Sequence, residues 1–90
     1  MKHKRILKWV NRIRKEYLGK GPIKRMPRGR INEPKSCPVH DALWPSGVGG
    51  YVRTYQVESG DNEVMFRIPK FVSVWIRRFD AGKYPELIKE

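Results

Sequence analysis

Charge is divided unevenly along this chain, and the division limits what can fold. Twelve of the first thirty residues are Lys or Arg, against the single acid Glu16, and that excess of eleven equals the net charge of the whole protein. Residues 31–90 carry eight basic and eight acidic side chains and sum to zero. A hydrophobic core is therefore expected chiefly from a neutral body. A body this short buries a modest fraction of its surface and is marginal alone. It needs support from a docked N-terminal helix or from a second copy of the chain, so homo-oligomerisation is one route to a stable fold.

The periodicity divides the chain into three parts. Residues 1–18 form a basic amphipathic helix, with Ile6, Val10, Ile13 and Tyr17 on one face, flanked by Leu7, Trp9 and Leu18. Lys4, Arg5, Lys8, Arg12 and Lys15 fall on the opposite face at 100° per residue. Gly19 stops the helix, while the basic first turn, Lys2 to Arg5, opposes the helix dipole and is expected to fray or to find an anion. Residues 19–33 form a basic Gly/Pro linker without periodicity, read as extended and solvent-facing. Residues 34–90 form a small α+β domain. Within it, a short helix spans 34–43, capped by Ser36 or Asn32 with Pro38 in its first turn. A β-hairpin spans 51–68 around the turn Ser59-Gly60-Asp61-Asn62, with Val64, Phe66 and Ile68 on one face. A helix over 69–80, with Pro69 in its first turn and Phe71, Val72, Trp75, Ile76 and Phe79 at helical spacing, covers that face. Leu87 and Ile88 return for a last contact. The fold class is thus a small single α+β domain: amphipathic helix, basic linker, short helix, hairpin, C-terminal helix.

Several function classes are disfavoured. The N-terminus is interrupted by charge every one to three positions and lacks the apolar centre of a secretory leader. It is amphipathic and nearly free of acids, as transit peptides are, but contains no serine. Cys37 is the single cysteine, so no internal disulfide framework exists. Cys37-Pro38-Val39-His40 has a Cys-x-x-His spacing, but only His3 could join it and a structural zinc site needs four ligands. No metal or cofactor is expected. As a nucleophile–base pair it lacks a third orienting group, and Asp41, adjacent on a helix, does not face His40. Gly47-Val48-Gly49-Gly50 precedes a strand rather than a helix and is read as a loop, not a phosphate cradle. No enzymatic activity is expected.

From Arg30 onward the chain resembles a known pattern. Arg30-Ile31-Asn32, Ser36-Cys37-Pro38-Val39 and Ala42-Leu43, followed by Ile68-Pro69-Lys70-Phe71-Val72 and by Ile76-Arg77-Arg78-Phe79-Asp80-Ala81-Gly82-Lys83-Tyr84-Pro85-Glu86-Leu87, are similar to a family of small proteins from phages that infect actinobacteria. That family has no established activity and no catalytic residues to carry over. The resemblance implies a phage product acting in the bacterial host cytoplasm.

The basic third lies largely outside the resemblance. Its charge density suits the phosphate backbone of nucleic acid, where each Lys or Arg contact releases condensed counterions. The candidate binding residues are Arg5, Lys8, Arg12 and Lys15 on the helix, and Lys20, Lys24, Arg25, Arg28 and Arg30 on the linker. Arg14 is a further cation able to grip phosphate. No base-reading motif accompanies them, so sequence specificity should be weak, and DNA and RNA are not distinguished. Tyr51, Arg53 and Tyr55 share a strand face that could stack on bases or simply pack. The alternative partner is a host protein, bound by the neutral body through Trp44, Trp75 or the hairpin edge, with the arm steering association. A membrane surface, with Trp9 at the interface, is the weakest fit, because the small body needs the helix's apolar face.

Overall fold

The structure is a computed structural model of the chain, and it describes residues 3–45, 47–61 and 63–89. Helix α1 spans Lys4–Leu18, α2 spans Pro38–Leu43 and α3 spans Lys70–Asp80. Between α2 and α3 run three short strands, β1 (Tyr51–Val52), β2 (Gln56–Glu58) and β3 (Val64–Arg67). They form one antiparallel sheet in the order β1-β2-β3. A 3-10 turn, Pro85–Leu87, follows α3. Among the described residues no helix is long and apolar enough to cross a membrane. The molecule is a small α+β domain, as expected.

Helix α1 forms where the periodicity places it. Ile6, Trp9, Val10 and Ile13 are buried, while Tyr17 stays half outside and rests on the Phe66 ring. Gly19 closes the helix in the left-handed conformation, φ 61°, which costs glycine little. The Lys20 amide then donates to the Arg14 carbonyl at 2.9 Å. The described part of the first turn does not fray. It has no side-chain cap, but His3 ties it to the far end of the chain. The Trp75 indole N–H donates to His3 Nδ1 at 3.1 Å, and His3 Nε2, which must then carry the proton, donates to Glu86 at 2.9 Å. The carboxylate that meets this basic start thus comes from the protein itself. Lys2 lies outside the described residues.

The segment 19–33 has no regular structure and most of its residues face solvent, as expected, but it is tied to the core at several points. Met26 is buried and Ile23 half-buried against the core. The Asn11 side chain brackets Ile23, donating to its carbonyl at 3.0 Å and accepting from its amide at 2.9 Å. Gly29 then pairs in parallel with Ile88: its amide donates to Leu87, and Lys89 donates to its carbonyl, both at 2.8 Å. The close approach requires glycine, because a Cβ on residue 29 would meet the Cys37–Pro38 backbone at under 3 Å. Two apolar side chains and these backbone bonds outweigh the charge repulsion that would keep the segment free.

Two other local expectations are corrected. The predicted strand over 51–58 folds back on itself: Tyr51 pairs with Glu58 and Val52 with Val57, and the Arg53 amide donates to Gln56 at 2.9 Å. Strict alternation over eight residues hid a tight turn at 53–56 with no glycine or proline to mark it. The pairing of β2 with β3 holds the predicted hairpin, with Ser59 bonded to Glu63 across the turn; Asn62 lies outside the described residues. An irregularity inserts Met65 between Val64, opposite Glu58, and Phe66, opposite Val57. Such a bulge breaks the period of two, so Phe66 and Ile68 are buried while Val64 is exposed.

Helix starts also differ by a residue or so. Cys37, rather than Ser36 or Asn32, caps α2, its Sγ accepting the His40 amide at 3.4 Å. Pro69 caps α3 instead of opening its first turn, and its carbonyl accepts the Ser73 amide. The core gathers Val10 and Ile13 from α1, Val39 and Leu43 from α2, Val57 and Phe66 from the sheet, Val72, Ile76 and Phe79 from α3, and Leu87 from the tail.

Candidate nucleic-acid interface

Burial of one face of α1 fixes what the other face presents. Arg5, Lys8, Arg12 and Lys15 are all exposed and recur at spacings of three, four and three, which sets them in one stripe. Glu16 is the acid on that side, 3.8 Å from Arg12. Arg12 and Lys15 also line a groove shared with Lys20, Gly21 and Pro22. The structure therefore brings five of the nine candidate residues around α1.

The other four are placed differently. Lys24, Arg25, Arg28 and Arg30 are exposed along the docked segment, and no ion pair engages their side chains among the described residues. Arg28 and Arg30 flank the pairing of Gly29 with Ile88. Two cations are committed to the fold. Arg14 donates to the Gly21 and Ala42 carbonyls at 2.7 and 2.6 Å, and Lys20 Nζ to the Leu43 carbonyl at 2.8 Å. Arg14, read as a phosphate grip, is thus a clasp between α1, the basic segment and α2.

A second row of charge was missed in the sequence. The start of α1 and the length of α3 enclose an open cleft of about 620 Å³. Its cations are Arg5 from α1 and Lys70 and Arg78 from α3, and its rings are Phe71, Trp75, Tyr84 and His3. The Arg5 guanidinium lies 4.2 Å from the centre of the Phe71 ring. Trp75 stacks on Tyr84 with ring centres 5.2 Å apart, and His3 meets both edge-on. Arg5 and Phe71 also border an adjoining groove with Lys8, Trp9, Arg12 and Pro69. The neutral sum over 31–90 concealed this. The signal available was Lys70 and Arg78, eight residues apart and hence on one side of a helix.

The remaining candidates are structural. Trp9 is buried, so α1 has no apolar face left for a lipid surface. Tyr51, Arg53 and Tyr55 do not form one open strand face: Lys35 and Arg53 lie over Tyr51, and Arg77 lies over Tyr55. Asp41 does face His40, contrary to expectation. The backbone positions diverge, but the carboxylate reaches the ring edge, with Oδ1 2.8 Å from Nδ1. Nε2 sits 2.7 Å from the Val48 carbonyl, so it donates there. The fully buried ring thereby ties Val48 to α2, with both ring nitrogens engaged by Asp41 and Val48. Burial pushes the Cys37 thiol up to about 12, away from nucleophilic thiolate. Among the described residues no three metal-ligating side chains converge.

Comparison with known proteins adds no further constraint: no protein-family model, curated protein or solved structure matches the chain.

Proposed function

We propose that this is a small non-enzymatic phage protein that binds nucleic acid mainly through phosphate contacts of its basic N-terminal third. The observation that carries the proposal is the α1 stripe. Arg5, Lys8, Arg12 and Lys15 stand on a helix whose opposite face is anchored in the core. Charge held on a rigid element meets a polyanion without first ordering a flexible arm. Lys20, already bonded to Leu43, contributes its field more than its donors, while Lys24, Arg25, Arg28 and Arg30 extend the positive surface along the docked segment. The phage assignment rests on the resemblance over residues 30–88.

Mobility shift of DNA and RNA across a salt series tests the proposal. Five engaged phosphates on a duplex give a slope of log K against log salt of about −4.5. Absence of any complex at about 50 mM salt, where electrostatic binding is favoured, overturns it. A host-protein partner is favoured by one observation: β3 is an edge strand with Val64 and Met65 exposed, and exposed edges accept further strands. Capture of a protein from nuclease-treated host lysate, lost on Met65→Lys, tests that alternative.

A further inference from the structure

We propose that the cleft between the start of α1 and α3 holds an unpaired nucleobase with its flanking phosphates, so that single strands are the preferred ligand of this surface. The proposal rests on the nucleic-acid reading above and narrows it to a substrate class.

The argument begins with what lines the cleft. Arg5, Lys70 and Arg78 are exposed there, and none of them is in an ion pair with another described residue; Glu86 meets His3 at 2.9 Å. A duplex would use those cations but would leave the aromatic floor without a role, because its base faces are already stacked. A single strand offers both groups at once, and single-strand sites pair a cationic track with rings on which successive bases stack. The volume, about 620 Å³, falls within the range of small-molecule sites. It is therefore large enough for a base and its sugar.

The rings are positioned for this use. Phe71 and Tyr84 are only half-buried, whereas Trp75 beneath them is buried. Trp75 is fixed by its indole bond to His3 and by stacking on Tyr84 and Phe79. The Arg5 guanidinium, 4.2 Å from the Phe71 ring centre, adds a planar group to the platform, since a planar cation can stack on a base as well as on a ring. Beyond Phe71 the floor continues into the groove bordered by Lys8 and Arg12. From Arg5 to Arg12 the helix rises about 10 Å, the length of about three nucleotides at duplex spacing. A strand entering the cleft would thus continue along the α1 stripe.

Fluorescence anisotropy with a labelled oligothymidine of about twelve nucleotides, against a duplex of the same length, provides the test. The single strand should bind more tightly than the duplex and should quench tryptophan emission through Trp75. Phe71→Leu keeps an apolar side chain and removes the ring. It should weaken single-strand binding about five- to 150-fold, the loss of one stacked base, and leave duplex binding unchanged. Should that variant unfold more readily, Tyr84→Leu, which removes the other half-buried ring of the floor, replaces it, with the same selective loss expected. Equal affinity for both ligands, with neither variant selective, overturns the cleft proposal while leaving backbone binding by α1 intact. No binding of either ligand overturns both.

Discussion

Replacing Gly29 with alanine probes the docking of the basic segment. The backbone at this position lies outside the left-handed region, so alanine brings no conformational penalty of its own. What it brings is a Cβ at under 3 Å from the Cys37–Pro38 backbone. Overpacking of this kind costs about 1–3 kcal/mol if the contact is absorbed in place. If instead the segment lifts away, the two bonds between Gly29 and the 87–89 segment go, at about 1 kcal/mol each. Met26 then loses part of a burial worth about 1.5–3 kcal/mol. Absorption in place thus destabilises by about 1–3 kcal/mol and lifting by about 2–5 kcal/mol. Urea unfolding followed by tryptophan fluorescence gives the magnitude, and trypsin cleavage after Lys24, Arg25 and Arg28 shows whether the segment has lifted. Gly21→Ala is the control, because its Cβ meets nothing within 4 Å and its effect should range from neutral to about 1 kcal/mol stabilising. A Gly29→Ala protein within about 0.5 kcal/mol of the parent and no more readily cleaved would refute the docked geometry.

Three further outcomes follow from other parts of the molecule. Ile13→Ala, at a site 3 % exposed, should cost about 2–5 kcal/mol in a denaturant melt, and a loss under about 1 kcal/mol would mean that α1 is not anchored. Lys8→Ala combined with Arg12→Ala should flatten the salt dependence of nucleic-acid binding by about two phosphate contacts, read as the slope of log K against log salt, while melting stays within about 0.5 kcal/mol. For Cys37, folding holds the thiol at about 12 against an ordinary 9.0, so the native chain keeps a proton that the unfolded chain releases. Its contribution to stability is complete below pH 9.0 and declines as the pH rises towards 12. The stability difference between the parent and Cys37→Ser should fall across that window, and a difference that stays flat with pH contradicts the burial.

What the sequence disclosed followed physical periodicity. Ile6, Val10 and Ile13 announced α1 and its inner face, Gly19 its end, and Val72, Ile76 and Phe79 the core face of α3. What stayed hidden depended on contacts remote in the chain. Nothing local to Gly29 points to Ile88, and Arg14 looks like any surface cation until Ala42 is folded against it. The turn inside 51–58 escaped because Thr54 and Tyr55 carry β-favouring side chains. The cleft escaped for a different reason: summing charge over a segment discards geometry, and Lys70 and Arg78 matter through the side of α3 they occupy.

The pairing of Gly29 with Ile88 also bears on the thermodynamic signature of binding. Fixing a backbone residue costs about 1–2 kcal/mol of conformational entropy. A free arm would lose that entropy on meeting its ligand, with the heat-capacity signature of coupled folding and binding. Here Arg28 and Arg30 flank a residue held by two backbone hydrogen bonds, so the loss occurs during folding. Calorimetry of complex formation should therefore show the small heat-capacity change of a preformed surface.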